Sequence, residues 1–201
     1  MVNILCMDLS SADEKVYAQL YGKASPERRH RADRYPRQED KLRCVASGAL
    51  LEYVLGTADY QTETNGHGKP RVKDRPGFHY NLSHSGRFVA IAWGDSEVGV
   101  DVQRHKRADL DALAARWFTP QEQAYIQGSC QRFYEIWTGK ESYLKYMGKG
   151  LSGDMRSFSV LDPAPGLFYH YRLLEGDYSL SLCCADPQIR FRILDIRQLL
   201  R

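Results

Sequence analysis

A chain of 201 residues, 43% hydrophobic and 26% charged, with 8 Pro and 16 Gly, has the composition of a protein with a sizeable core, which excludes a disordered, collagen-like or low-complexity chain. Its net charge of +3, from 28 basic and 25 acidic residues, argues against a general nucleic-acid binder held by bulk electrostatics. No run approaches the ~18 apolar residues of a membrane span, and the apolar stretch Val2 to Met7 meets Asp8 too early for a secretory signal. The chain is therefore expected in the cytoplasm, away from membranes.

Ser11-Ala-Asp-Glu14 reads as a capping box ahead of Val16, Tyr17 and Leu20, which predicts a short first helix. Ser25-Pro26-Glu27 opens a second, with Ser as N-cap and Pro at the first helical position. From Gln38 to Leu55 one stripe carries Leu42, Val45, Ala46, Ala49, Tyr53 and Val54, so the segment is an amphipathic helix, and Gly56 ends it. Between Lys23 and Arg43 eight Lys/Arg stand against four Asp/Glu, a local excess of +4. Such a run gathers a small anion or merely solvates the outer face of a helix. Tyr60 to Pro76 reads as turns and loop, including Asn65 to Pro70. Phe88 to Trp93 is an apolar strand, Gly94 to Glu97 a turn, and Val98 to Val102 an alternating strand, together predicting a hairpin.

The second half repeats part of this plan. Thr119-Pro-Gln-Glu122 is another capping box, and a helical pattern runs from about Arg132 to Met147 before Gly148 breaks it. Tyr178 to Cys184, a turn at Asp186-Pro187 and Ile189 to Ile196 reproduce the order strand, turn, strand. The fold class expected is α+β, with two similar α/β halves (1–103 and 104–201) that each set helices on one face of a mostly antiparallel sheet. A ligand cleft would lie at their junction, near Arg104 to Ala108. The five cysteines, odd in number and without metal-ligand spacing, are expected to be reduced core thiols.

Within Val98 to Gln103 the period of two sends the valines to the core and puts Gly99, Asp101 and Gln103 on the opposite face. A solvent-facing strand shows the same alternation, but Gly99 inside it marks close approach by a ligand or another backbone. In the helix after Arg132, the stripe Phe133, Trp137, Leu144 and Met147 is interrupted by Lys140, which would need a counter-charge if covered. Beside it Glu141 and Lys145 stack i,i+4, a pair that contributes only about 0.2–0.5 kcal/mol if exposed. Two carboxylates, Asp101 and Glu141, with lysines alongside, make an inventory for Mg²⁺ and a phosphate. Tyr80 to Gly86 is a polar cluster that either holds a phosphate or closes a turn. Ser83 and His84, adjacent on an extended chain, face opposite ways and so do not form a nucleophile and base; His84 suits an anion contact.

Gly99-Val-Asp101 together with Trp137-Thr-Gly-Lys140-Glu141-Ser-Tyr-Leu-Lys145 resembles the two-part signature of the surfactin-synthetase-type 4′-phosphopantetheinyl transferases. Ser25-Pro-Glu-Arg28, Glu39-Asp40, Gly68-Lys69-Pro70, Asn81 to Gly86 and Gly148 to Ser152 fall in the expected order around it. The resemblance implies two pseudo-symmetric halves with coenzyme A and a metal in the cleft between them. It also implies transfer of the phosphopantetheine arm of coenzyme A to a serine of an acyl or peptidyl carrier protein, by a monomer that needs Mg²⁺ or Mn²⁺.

Carried over by position, Asp101 and Glu141 would be metal ligands. Arg28, Arg31 and His84 would contact the 3′-phosphate end of coenzyme A, Lys69 and Ser83 would line the nucleotide site, and Lys140 and Lys145 would hold the diphosphate. Asp101, Glu141 and Lys145 would form the catalytic group, with Glu141 or a nearby water as base. The segment from Gly148 towards Tyr171 would face the carrier protein. The pattern departs at Gln103, where many relatives place a third acidic ligand; a neutral amide oxygen, or water, would serve there. A non-catalytic relative that binds carrier protein or nucleotide is the alternative, with Gln103 as its sequence support. An RNA-binding domain is disfavoured by the lack of a basic motif interleaved with aromatics.

Overall fold

The computed structural model describes residues 1–149 and 154–200. The chain opens with β1 (Val2–Asp8), followed by α1 (Glu14–Lys23), α2 (Pro26–Asp33) and α3 (Gln38–Leu55), then the short β2 (Thr62–Thr64) and β3 (Pro70–Val72). Next come β4 (His79–Ser85), β5 (Phe88–Gly94) and β6 (Val98–Arg104), then α4 (Leu110–Trp117), α5 (Pro120–Ile126) and α6 (Cys130–Met147). A 3₁₀ turn at Met155–Ser157 leads to β7 (Phe168–Leu174), β8 (Tyr178–Cys184), β9 (Ile189–Asp195) and α7 (Ile196–Leu199).

Four layers stack. One sheet has the order β4-β5-β1-β9, and a second has the order β6-β8-β7. Helices α1 to α3 cover the outer face of the first, where Leu5, Met7, Val89 and Ile91 meet Leu20, Val45, Leu50 and Leu51. Between the sheets lie Val2, Ile4, Cys6, Phe88, Ala90 and Ala92 against Val98, Val100, Val102, Leu180 and Leu182. Helix α6 covers the outer face of the second sheet. Strands β1 and β5, apolar on both faces, read as continuous runs because both faces are covered. On β6 only the valines join the apolar layer between the sheets, which accounts for its alternation. Among the described residues no helix is long and apolar enough to cross a membrane.

The predicted hairpin from Phe88 to Val102 does not form. Strand β5 pairs with β1 and β4, whereas β6 crosses to the other sheet and pairs antiparallel with β8. The later strand-turn-strand behaves likewise: β8 pairs with β6 and β7, and β9 crosses back to pair parallel with β1. Each repeat thus sends its third strand into the other's sheet. Periodicity and turn residues fix where a strand lies in the chain, not which neighbour it takes. The true hairpins are β4-β5 and β7-β8. Strand β4 looks like a polar cluster in the sequence because its side chains, Leu82 apart, are Tyr, Asn, Ser and His.

Other boundaries follow the sequence closely. Ser25 caps α2, α3 spans Gln38–Leu55 with Gly56 left-handed behind it, and Thr119 and Glu122 form the full capping box of α5. The first helix is capped by Asp13, whose carboxylate accepts from Val16 N–H, not by Ser11. Cys130 is exposed, so only four of the five thiols are in the core.

Gly99 permits the closest of these packings. A Cβ on it would stand 2.0 Å from the Ser142 carbonyl oxygen and 2.3 Å from the Tyr146 nitrogen, both backbone atoms of α6. The backbone that Gly99 admits is therefore the helix. Gly99→Ala is expected to lower stability by about 1–3 kcal/mol or more, since neither helix nor strand can yield by a rotamer change. A melting temperature within error of the parent protein would contradict this close contact.

Candidate active site

Where the two sheets meet, β4 and β6 are joined by side chains instead of a backbone ladder. Asn81 Oδ1 accepts from Val100 N–H at 2.9 Å, Ser83 Oγ from Val102 N–H at 3.2 Å, and Ser85 Oγ from Arg104 N–H at 3.0 Å. Residues i, i+2 and i+4 of one strand thus take alternate amides of the other. The sequence reading missed this role for Asn81 and Ser85. The signal available was the polar period of two in Asn81, Ser83 and Ser85.

This junction sets the position of Asp101, 2% exposed. Its Oδ1 accepts from Ser83 Oγ at 2.8 Å and from Lys145 Nζ at 2.7 Å. Lys145 Nζ also donates to the Val100 carbonyl at 3.1 Å and to Ser83 Oγ at 3.0 Å, so its three protons are directed. The other oxygen, Asp101 Oδ2, is buried and has no hydrogen-bond partner. Burial pushes the Glu141 carboxyl up, and the nearby Asp101 charge pushes it further, with Lys145 opposing. Two carboxylates face one ammonium, and an acceptor oxygen is left unfilled. That donor set suits a divalent cation, which would satisfy Oδ2 and balance the charge. Gln103 Oε1 accepts from Ser85 Oγ at a long 3.4 Å and is a neutral oxygen on the same strand face. Among the described residues no group of three His, Cys, Asp or Glu is arranged to hold a metal ion.

On the other side of β4 a cleft of about 800 Å³ opens between α2, α3 and the loop after α3. Arg28, Arg31 and His84 line it, with Tyr35, Tyr60 and Tyr80. The His84 ring still meets solvent, yet desolvation beside the cleft and the charges of Arg43 and Lys145 hold it below the usual imidazole range. An anion arriving in the cleft would oppose that shift and favour the protonated ring.

Three of the residues singled out from the sequence take other positions. Ser83 turns away from the cleft and holds Asp101. Lys69 is 8% exposed, and its ammonium is spent on Glu97 at 2.6 Å and on the carbonyls of Val98 and Tyr146, both at 3.0 Å. Lys69 therefore pins its loop to β6 and the end of α6. Lys140 has no exposed side-chain surface. It pairs with Glu122 at 2.9 Å and donates to the Met155 and Phe158 carbonyls, both at 2.6 Å. With three acceptors on three protons it has none left for a diphosphate. The counter-charge its position demanded is Glu122, whose other oxygen accepts from Val160 N–H at 2.9 Å. Glu122 was recognised only as a capping residue, since its partner lies on another helix. Residues 150–153, within the stretch assigned to the carrier protein, lie outside the described residues.

Residues 97–190, which contain Asp101, Gln103, Glu141 and Lys145, match the family described as the 4′-phosphopantetheinyl transferase superfamily. The chain is 35% identical over 187 aligned positions to 4′-phosphopantetheinyl transferase Sfp of Bacillus subtilis (strain 168), covering 81% of this chain and 83% of that one. It is 34% identical over 214 positions to 4′-phosphopantetheinyl transferase psf-1 of Bacillus pumilus, covering 92% and 91% of the two chains. With 4′-phosphopantetheinyl transferase gsp of Aneurinibacillus migulanus it shares 31% over 194 positions, covering 85% and 80%. Paired carboxylates beside a directed lysine, a basic cleft next to them and likeness along most of the sequence converge: the chain belongs to the 4′-phosphopantetheinyl transferase superfamily.

Proposed function

We propose that this protein transfers the 4′-phosphopantetheine arm of coenzyme A to a serine of an acyl or peptidyl carrier protein, acting as a monomer in the cytoplasm with Mg²⁺ held by Asp101 and Glu141. Residues 1–103 and 104–201 would be its two halves. The observation that carries the metal assignment is the buried, unpartnered Oδ2 of Asp101 in a site with two carboxylates and one lysine. Arg28, Arg31 and His84 in the adjoining cleft supply the cationic and hydrogen-bonding groups that a 3′-phosphate needs.

In the reaction the serine hydroxyl oxygen bonds to the β-phosphorus of coenzyme A. The bond from that phosphorus to the bridging oxygen breaks, and 3′,5′-ADP leaves. Such transfers ask a protein chiefly for alignment and charge neutralisation. Mg²⁺, when bound, supplies neutralisation of the diphosphate. Lys145 fixes Asp101 through Oδ1 and leaves Oδ2 for the ion. Glu141, or a water beside the metal, would take the serine proton. The segment from Gly148 towards Tyr171 would receive the carrier, and Met147 next to it and Phe168 within it are exposed apolar side chains. Release of 3′,5′-ADP only when a carrier with its serine intact is present supports this reading; equal release with a Ser→Ala carrier contradicts it.

Two further outcomes are expected. Arg28→Ala and His84→Ala should each raise the KM for coenzyme A about tenfold more than that for dephospho-coenzyme A, because charge-assisted contacts to phosphate contribute about 1.5–3 kcal/mol. Equal effects on both substrates would return the basic run to a solvated face. In a Mg²⁺ titration of the transfer rate, Gln103→Glu should lower the midpoint, since a carboxylate replaces a neutral oxygen, and Gln103→Ala should cost far less than Asp101→Ala, since water fills the position. An unmoved midpoint for Gln103→Glu with an inactive Gln103→Ala would remove Gln103 from the metal.

A further inference from the structure

The short strands β2 and β3 form a two-stranded sheet of their own. A lone hairpin is marginal in water, so its place in the fold depends on what its side chains hold. Asn65 closes the turn from within: its Oδ1 accepts from His67 N–H at 3.0 Å and from Lys69 N–H at 2.9 Å. The other end of the same amide reaches outward, and Nδ2 donates to the Gly148 carbonyl at 3.0 Å, 83 residues further along the chain. Beside it Lys69 Nζ donates to the Tyr146 carbonyl at 3.0 Å. The last carbonyls of a helix have no partner within it, and here two of them at the end of α6 are met by one distant hairpin. The approach is close, since a Cβ on Gly148 would stand 3.0 Å from Lys69 Cδ and 3.1 Å from Asn65 Nδ2. The same hairpin walls the cleft through Thr62, Thr64, Gly68 and Pro70.

We propose that Asn65 is a positioning residue for carrier recognition: from the hairpin that walls the cleft it fixes Gly148, where the chain leaves α6, and so holds the start of the carrier-facing stretch ready for docking. This rests on the proposed function above and names what keeps that stretch in place. A docking surface fixed beforehand loses less conformational freedom when the partner arrives. Asn65 acts through the Gly148 carbonyl and touches no reacting atom. Lys69 also donates to Glu97 and to the Val98 carbonyl, so Asn65 is the residue at which the link to α6 can be cut with least disturbance.

Asn65→Asp cuts the link and spares the turn. One carboxylate oxygen still accepts from the His67 and Lys69 amides, while the other meets the Gly148 carbonyl as acceptor against acceptor. Initial rates of transfer for Asn65→Asp should show the KM for apo carrier raised about threefold to tenfold, with kcat and the KM for coenzyme A within about twofold of the parent protein. Asn65→Ala, which loses the turn contacts as well, should raise the KM for carrier at least as much. A role confined to the turn predicts the opposite order, a silent Asn65→Asp and a damaged Asn65→Ala, and that result overturns the inference. So does an Asn65→Asp variant whose KM for coenzyme A rises as much as that for carrier, because the hairpin would then serve the cleft alone. Phe168→Glu, on the exposed apolar side chain within the carrier-facing stretch, separates the two readings. If it raises the KM for carrier and Asn65→Asp does not, the inference falls by itself; if neither does, the assignment of that stretch to the carrier falls with it.

Discussion

Asp101→Ala should reduce transfer about a hundredfold or more, with little change in the KM for coenzyme A. The substitution removes the unpartnered Oδ2 and leaves Lys145 Nζ without its carboxylate. Metal-borne charge stabilisation in a phosphoryl transfer is a matter of several kcal/mol, and each 1.36 kcal/mol is tenfold in rate. Asp101→Asn separates charge from shape, because an amide oxygen still accepts from Ser83 and Lys145 while the negative charge is gone. It should be nearly as inactive, with less effect on stability. Activity within about threefold of the parent for either variant, well under 1.4 kcal/mol, contradicts the metal assignment.

Lys140→Met and Glu122→Gln should each destabilise the protein by about 3–5 kcal/mol, the usual cost of leaving one member of a buried ion pair without the other. For a chain of this size that is a fall in melting temperature of roughly 10 °C. Burial lowers the Lys140 pKa and Glu122 opposes that shift, so each charge is tolerated because of the other. The pair also ties α5, α6 and the turn at Met155–Ser157 together through the carbonyls of Met155 and Phe158 and the amide of Val160. The double variant should be less destabilised than the sum of the singles, since no unpaired charge remains. Calorimetry that shows a change below about 2 °C for Lys140→Met would mean that its ammonium is not committed to Glu122. The residue would then again be a candidate for the diphosphate.

Helix positions were readable wherever local chemistry decides them: Ser25 with Pro26, Thr119 with Glu122, and the stops at Gly56 and Gly148. The facing of Asp101 and Gln103 was readable from the period of β6, and Gly99 correctly marked a close approach, that of a helix backbone. Strand partnership was not readable. The crossing of β6 and β9 between sheets depends on long-range pairing that turn residues do not encode. For the same reason the resemblance, carried over by position, grouped Lys69, Ser83 and Lys140 with the ligand. Burial and partners at distances of 28, 18 and 18 residues along the chain, namely Glu97, Asp101 and Glu122, decide otherwise. The cleft residues Tyr35 and Tyr60 gave no motif at all.

The most direct measurement is the mass of an apo carrier protein after incubation with this protein, coenzyme A and Mg²⁺. A gain of roughly 340 Da on the carrier, the mass of the phosphopantetheine arm attached to its serine, is the predicted result, absent with Asp101→Ala and with chelator. A carrier of unchanged mass under conditions where the protein is folded and binds coenzyme A would contradict the account and leave a binding protein without turnover.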